Sequence, residues 1–238
     1  MKKLLSVLMI AAALAAAFYL YAGYYNGPLY RDLPATRPSS ARPTIVVLSG
    51  DMGNRVGMAP KIAARLNSRG YAVVTVNSLT YFSWRRTPEE AAALIDGAMT
   101  RAMQLGRTGH VVLIGQSFGA DMLHAGLAEL PLARRPSIRS VVLVVPGEDI
   151  IFRASPIELA GLEVPDQRAL RTAAQLTWLP VICIRGVKEH DSLCPELTMS
   201  NVRQIVLPGG HKLNSDDGAL EAAILPAIRP AAATAGSQ

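Results

Sequence analysis

The chain has 238 residues, of which 50% are hydrophobic, 5% aromatic and 18% charged, with a formal net charge of +6. That length suits one domain with a sizeable core, and few aromatics with many alanines fit helices packed on a sheet. The excess charge comes mainly from scattered arginines (Arg65, Arg69, Arg85, Arg86, Arg134, Arg135 and Arg139) and not from a block of like charges, which reads as solvated helix faces or attraction to an anionic lipid surface. No nucleic-acid partner is expected, because zinc-finger spacing and aromatic RNA-binding motifs are missing.

Met1-Lys2-Lys3 opens the chain, and Leu4 to Ala22 follows without a charge. Such a run is close to the roughly 20 residues that cross a bilayer as a helix. Tyr19, Tyr21, Tyr24 and Tyr25 gather at its far end, where aromatic rings favour the headgroup layer. The two lysines hold the near end in the cytoplasm and place the rest outside. Residues 1–25 therefore read as a signal anchor. A cleaved signal peptide is the alternative, with Ala15-Ala16-Ala17 as its small-residue site. Residues 26–43, rich in Pro, Arg and Ser, read as a linker. Residues 44–229 form the domain, and residues 230–238 read as a disordered tail.

Within the domain, six short apolar runs, rich in β-branched residues, recur at 44–49, 71–76, 110–114, 140–145, 180–184 and 203–207. They are nearly continuous, not alternating, as in strands buried on both faces of a parallel sheet. Helical patterns separate them, at 58–69, from Thr87 onward, at 118–129, at about 167–177 and at 216–228. Gly70 supplies a C-cap for the first. Thr87-Pro88-Glu89-Glu90 supplies a capping box with proline at the first helical position for the second. Alternating strands and helices give an α/β fold with helices on both faces of a mainly parallel sheet of about six or more strands.

Gly115-Gln116-Ser117-Phe118-Gly119 has the G-x-S-x-G spacing. It directly follows a buried strand and directly precedes a helix, the setting of the nucleophile elbow in the α/β-hydrolase fold. The turn there is so tight that side chains at the glycine positions would clash. A serine needs a base to act as nucleophile. Of the four histidines, His110 begins the strand before the elbow, His124 lies two turns into the following helix, and His190 lies in the loop after the fifth strand. His211, in Leu207-Pro208-Gly209-Gly210-His211, follows the last strand, where this fold delivers its base. The order Ser, acid, His places the acid after the fifth strand; Asp191 is preferred, with Glu189 as the alternative. An oxyanion hole needs two N–H donors, expected from Phe118 and from the loop Gly50-Asp51-Met52-Gly53, with Met52 first and Gly53 next. Cys183 and Cys194 read as a disulfide in an exported chain, or as two buried thiols. A metal site of Cys183, His190 and Cys194 is the weakest reading, since the spacing matches no common zinc motif. No metal or organic cofactor is expected.

Leu48-Ser49-Gly50-Asp51-Met52-Gly53, Tyr81 to Glu89, Gly115 to Asp121, Asp191-Ser192-Leu193-Cys194-Pro195 and Leu207 to His211 together resemble the VirJ/AcvB family of bacterial virulence proteins. The resemblance spans about residues 44–228 and the short, VirJ-like form. It implies a periplasmic α/β hydrolase at the inner membrane. AcvB-type members hydrolyse lysyl and alanyl esters of phosphatidylglycerol, and VirJ is associated with type IV secretion, so aminoacylated lipid, the membrane and secretion components are the implied partners. It also implies a Ser117, Asp191, His211 triad and a Cys183–Cys194 disulfide. Two positions depart from the family pattern: the first loop lacks its Trp, and Lys212 stands where a second His is common. For such a substrate, Asp51 or Asp121 is expected to hold the ammonium beside the scissile ester, and Tyr81 and Trp84 to line the mouth. A periplasmic accessory role and a general carboxylesterase are the alternatives.

Overall fold

The computed structural model describes residues 2–155 and 164–228; the tail expected at 230–238 lies outside them. The strands are β1 (Tyr30–Leu33), β2 (Thr44–Leu48), β3 (Val73–Val76), β4 (Val111–Gln116), β5 (Ile138–Val144), β6 (Asp149–Ile150), β7 (Gln167–Arg168), β8 (Val181–Gly186) and β9 (Val202–Leu207). Seven of them form one sheet in the order β1-β3-β2-β4-β5-β8-β9. Every pairing in it is parallel except that of β1 with β3.

Burial on both faces explains the continuous apolar runs. Successive strand residues point to opposite sides. Ile45, Val47, Val112, Ile114 and Val142 pack with apolar residues of α2 (Met58–Ser68) and α7 (Asp217–Ile228) on one face. Val46, Leu48, Leu113, Val141 and Leu143 pack with α4 (Pro88–Gly106) and α5 (Phe118–Ala128) on the other. The start of α4 is built as its sequence indicates: Thr87 Oγ1 accepts from the Glu90 N–H at 3.2 Å and the Glu90 carboxylate accepts from the Thr87 N–H at 2.9 Å, which satisfies two donors that a helix start leaves orphaned.

Two elements differ from the sequence expectation. The segment expected as a linker contains β1, an edge strand whose Asp32 receives two bonds from Arg101 of α4, at 2.7 and 2.8 Å. The helix expected over about 167–177 is short: Gln167–Arg168 pairs with Asp149–Ile150, and only α6 (Leu170–Ala173) is helical. Residues 167 and 168 are extended in that ribbon, so the helix starts only after them.

The N-terminal helix α1 (Lys2–Ala22) forms as expected. Its apolar span from Lys3 to Ala22 is long and apolar enough to cross a membrane, and almost none of it is covered by the rest of the chain. The end of the helix and the turn after it are not free. Ala22 and Tyr24 are buried in the main core. A further short helix, α3 (Ser78–Tyr81), is a single turn capped by Asn77.

Candidate active site

From β2 the sheet grows in both directions, toward β3 on one side and β4 on the other. At such a switch point the loops leaving the carboxyl ends of the strands part and leave a crevice. The loops after β2, β4, β8 and β9 supply the residues of interest.

Ser117 joins β4 to α5 with φ 53° and ψ −128°, a region costly for a residue with a side chain and common where function over-determines geometry. The flanking glycines are there because of close approach. A Cβ on Gly115 would lie 2.5 Å from the Ala120 Cα, and one on Gly119 would run into the carbonyl oxygens of Ser49 and Leu48. Phe118 begins α5, where helix geometry leaves its N–H without an intrahelical acceptor, and its ring packs edge-on against Phe82 at 5.4 Å.

Ser117 Oγ lies 2.7 Å from His211 Nε2, and His211 Nδ1 lies 2.7 Å from Glu189 Oε1. The second carboxylate oxygen of Glu189 accepts from the Gly186 N–H at 2.7 Å, and the side chain is only 4% exposed. Glu189 thus stands where Asp191 was expected, and that expectation is corrected. The reason is the path of the loop. Gly186 ends β8, the Glu189 N–H bonds back to the Gly186 carbonyl at 3.1 Å, and this tight turn folds the longer glutamate under the imidazole. Two residues on, Asp191 is exposed, and its carbonyl accepts from the Glu148 N–H. Gly186 also permits the two loops to meet, since a Cβ there would fall 2.5 Å from the Gly210 carbonyl oxygen. The bond from Glu189 is the largest influence on His211 and raises its pKa above the ordinary 6.5 against partial desolvation; the charges of Glu189, Asp51 and Asp191 add to the rise.

The loop after β2 brings Asp51 close enough for its charge to act on His211. Desolvation raises the Asp51 pKa, while His211 and the N–H groups of Asp51 and Met52 pull it back. The Met52 N–H, the first expected oxyanion donor, is thus among the groups that stabilise the charged Asp51 carboxylate. Gly53 does not serve that role: its N–H donates to the Gly50 carbonyl at 3.1 Å and its φ of +68° closes a turn.

Two further expectations change, those for Asp121 and Tyr81. Asp121 is buried in the first turn of α5 and accepts from the Gly147 N–H at 3.0 Å, which ties the helix to the loop after β5. Tyr81 packs under Arg86 and donates its hydroxyl to the Glu90 carbonyl at 3.1 Å, so it braces α4. Trp84 is 63% exposed and lies against Tyr25 at 5.5 Å between rings. The sulfurs of Cys183 and Cys194 are bonded to each other, so they are not ligands with His190, and among the described residues no cluster of His, Cys, Asp and Glu is placed to hold a metal. His124 is fully buried, bonds Thr172 Oγ1 at 2.9 Å, and has its pKa lowered to about 3 by desolvation. It is a neutral core residue.

What the sequence reading missed is the turn after α1. Arg55 donates to the Tyr21 carbonyl at 2.8 Å, and Thr80 Oγ1 to the Gly23 carbonyl at 2.5 Å. A Cβ on Gly53 would sit 2.5 Å from the Ala22 carbonyl oxygen. The glycines at 23 and 27 were the available signal, since a Cβ at either would strike Asn77 and Thr80.

The sheet order and the serine at its elbow define the α/β-hydrolase fold. Est1E from Butyrivibrio proteoclasticus superposes with a TM-score of 0.60 at 13% identity, over 84% of this chain and 93% of its own. The α/β hydrolase GrgF from Penicillium sp. sh18 gives 0.60 at 13% identity over 83% and 91%, and the proline iminopeptidase of Mycobacterium smegmatis gives 0.58 at 14% over 83% and 92%. At these identities the likeness is one of fold. No curated protein matches the chain in sequence. Residues 43–232 match the bacterial virulence protein family VirJ, and the chain belongs to that family.

Proposed function

We propose that the protein is a serine hydrolase which removes amino acids from aminoacyl esters of phosphatidylglycerol at the periplasmic face of the inner membrane. The observation that carries the hydrolase reading is the unbroken chain of hydrogen bonds from Ser117 through His211 to Glu189 at a strained elbow. His211 Nε2 takes the proton of Ser117 Oγ as the oxygen attacks the ester carbonyl. The oxyanion is received by the Phe118 N–H and, once Asp51 has turned to the substrate, by the Met52 N–H. His211 returns the proton to the departing glycerol oxygen, which leaves an aminoacyl-serine. Water gives a proton to His211 as it attacks that ester, and His211 passes the proton to Ser117 Oγ as the amino acid is released. Glu189 orients the ring and stabilises the imidazolium while staying ionised. No cofactor is required.

The choice of ester rests on the resemblance to AcvB-type members and on Asp51. A desolvated carboxylate whose charge reaches His211 suits the ammonium of an aminoacyl group, which would also relieve its burial. The deciding experiment is release of lysine or alanine from lysyl- and alanyl-phosphatidylglycerol by the full-length protein in mixed micelles, beside Ser117→Ala. Release by the wild type alone supports the whole reading. Serine-dependent turnover of short-chain esters with both lipids untouched removes the substrate and keeps the hydrolase. With no turnover of any ester, the chemistry is wrong and a binding role in secretion stands instead.

A further inference from the structure

The end of α1 is fastened to the catalytic domain without a spacer. Gly23, with φ +105°, turns the chain back. Its carbonyl is held by Thr80 of α3, and the Tyr21 carbonyl is held by Arg55, whose guanidinium also covers the Tyr21 ring at 5.2 Å. Ala22 is 1% exposed, and its carbonyl lies against Gly53 of the loop after β2, the loop that carries Asp51 and Met52. Around this junction stand Tyr21, Tyr25 and Trp84, at 59%, 50% and 63% exposure. Tyr25 packs on Trp84 at 5.5 Å between rings. Trp84 in turn follows Phe82, whose ring touches Phe118 beside Ser117.

Exposed tyrosine and tryptophan at the end of a bare apolar helix belong at the depth of lipid headgroups. The helix end is docked on the loop that carries Asp51 and Met52, so the crevice is not free to swing relative to the collar. We infer that the collar of Tyr21, Tyr25 and Trp84 is a bilayer-facing surface, and that the site draws its ester laterally from the headgroup layer and not from bulk water. This rests on α1 being a membrane anchor, and it goes further, because an anchor on a loose tether would leave the crevice free to face water.

Trp84 and Trp178 are the two tryptophans of the chain, which allows a direct test. Full-length protein carrying Trp178→Phe, reconstituted in phosphatidylcholine–phosphatidylglycerol vesicles, reports Trp84 alone; the Trp84→Phe protein reports Trp178. Lipids brominated near the carbonyl end of the acyl chain are expected to quench Trp84 and to leave Trp178 unchanged. Protein that floats with vesicles while Trp84 stays unquenched keeps the anchor and overturns the inference, as does a Trp84 shielded by cross-linkable contact with a second copy. Protein that does not float removes the anchor and the inference with it. A second readout is the ratio of activity on vesicle-embedded ester to activity on a soluble short-chain ester. Arg55→Ala with Tyr25→Ala is expected to lower that ratio through the lipid arm only. An unchanged ratio counts against the inference.

Discussion

Two carboxylates two residues apart have opposite fates, and exchange of each separates them. Glu189→Gln leaves the ring of His211 without its charged partner. A loss in kcat on the order of 10³–10⁴-fold is expected, by analogy with removal of the acid in other triads. Asp191→Asn, which removes only a distant charge, is expected to stay within a few-fold in the same ester assay. The pH profile follows from His211. The ring must be neutral to take the serine proton, and Glu189 lifts its pKa above 6.5. Activity therefore falls with acidification earlier than for an unassisted imidazole, and in Glu189→Gln the acidic limb of kcat/KM should move to lower pH. Asp51→Asn tests recognition: KM for a cationic aminoacyl ester should rise while KM for a neutral ester of the same size does not. Ser117 and His211 were legible in the sequence because the elbow spacing and the last strand each fix one position. The choice between Glu189 and Asp191 was not legible, because it depends on how the turn at Gly186 directs two neighbouring side chains.

Among the elements, the strands were readable where they are buried on both faces, since continuous β-branched runs have few other uses. β1 escaped because an edge strand of four residues needs no such run; its Arg31 and Asp32 look like linker chemistry. The ribbon of β6 and β7 escaped for a related reason, being two residues long on each side. Helix ends were readable where side chains do the capping. Thr87→Ala removes one half of the box on α4 and should cost about 1 kcal/mol, to be read as a lower denaturant midpoint with an unchanged slope. Leu113→Ala, in the middle of β4, should cost about 2–5 kcal/mol in the same titration. The gap between the two values reflects a fully buried side chain against a partly solvated hydrogen bond.

At the scale of the whole molecule, the N-terminal apolar helix and the domain were each legible, but their fixed relation was not. The contacts that create it join residues far apart in sequence, Tyr21 with Arg55 and Gly23 with Thr80, and no local pattern announces them. The disulfide adds a dependence on place. Cys183 lies inside β8 and Cys194 beyond the loop that carries Glu189, so the bond buckles both ends of that loop to the sheet. Such bonds persist in oxidising compartments and are reduced in the cytosol. Under the proposed export, a chain still in the cytosol would hold its orienting acid on an unbuckled strap, and full competence would arrive only after crossing. Protein refolded with Cys183 and Cys194 both changed to Ala should therefore keep its fold by circular dichroism, yet show a reduced kcat and an acidic limb shifted toward that of Glu189→Gln. Location would then act as the licence for catalysis, and lipid esters facing the cytosol would be spared by chemistry as well as by topology.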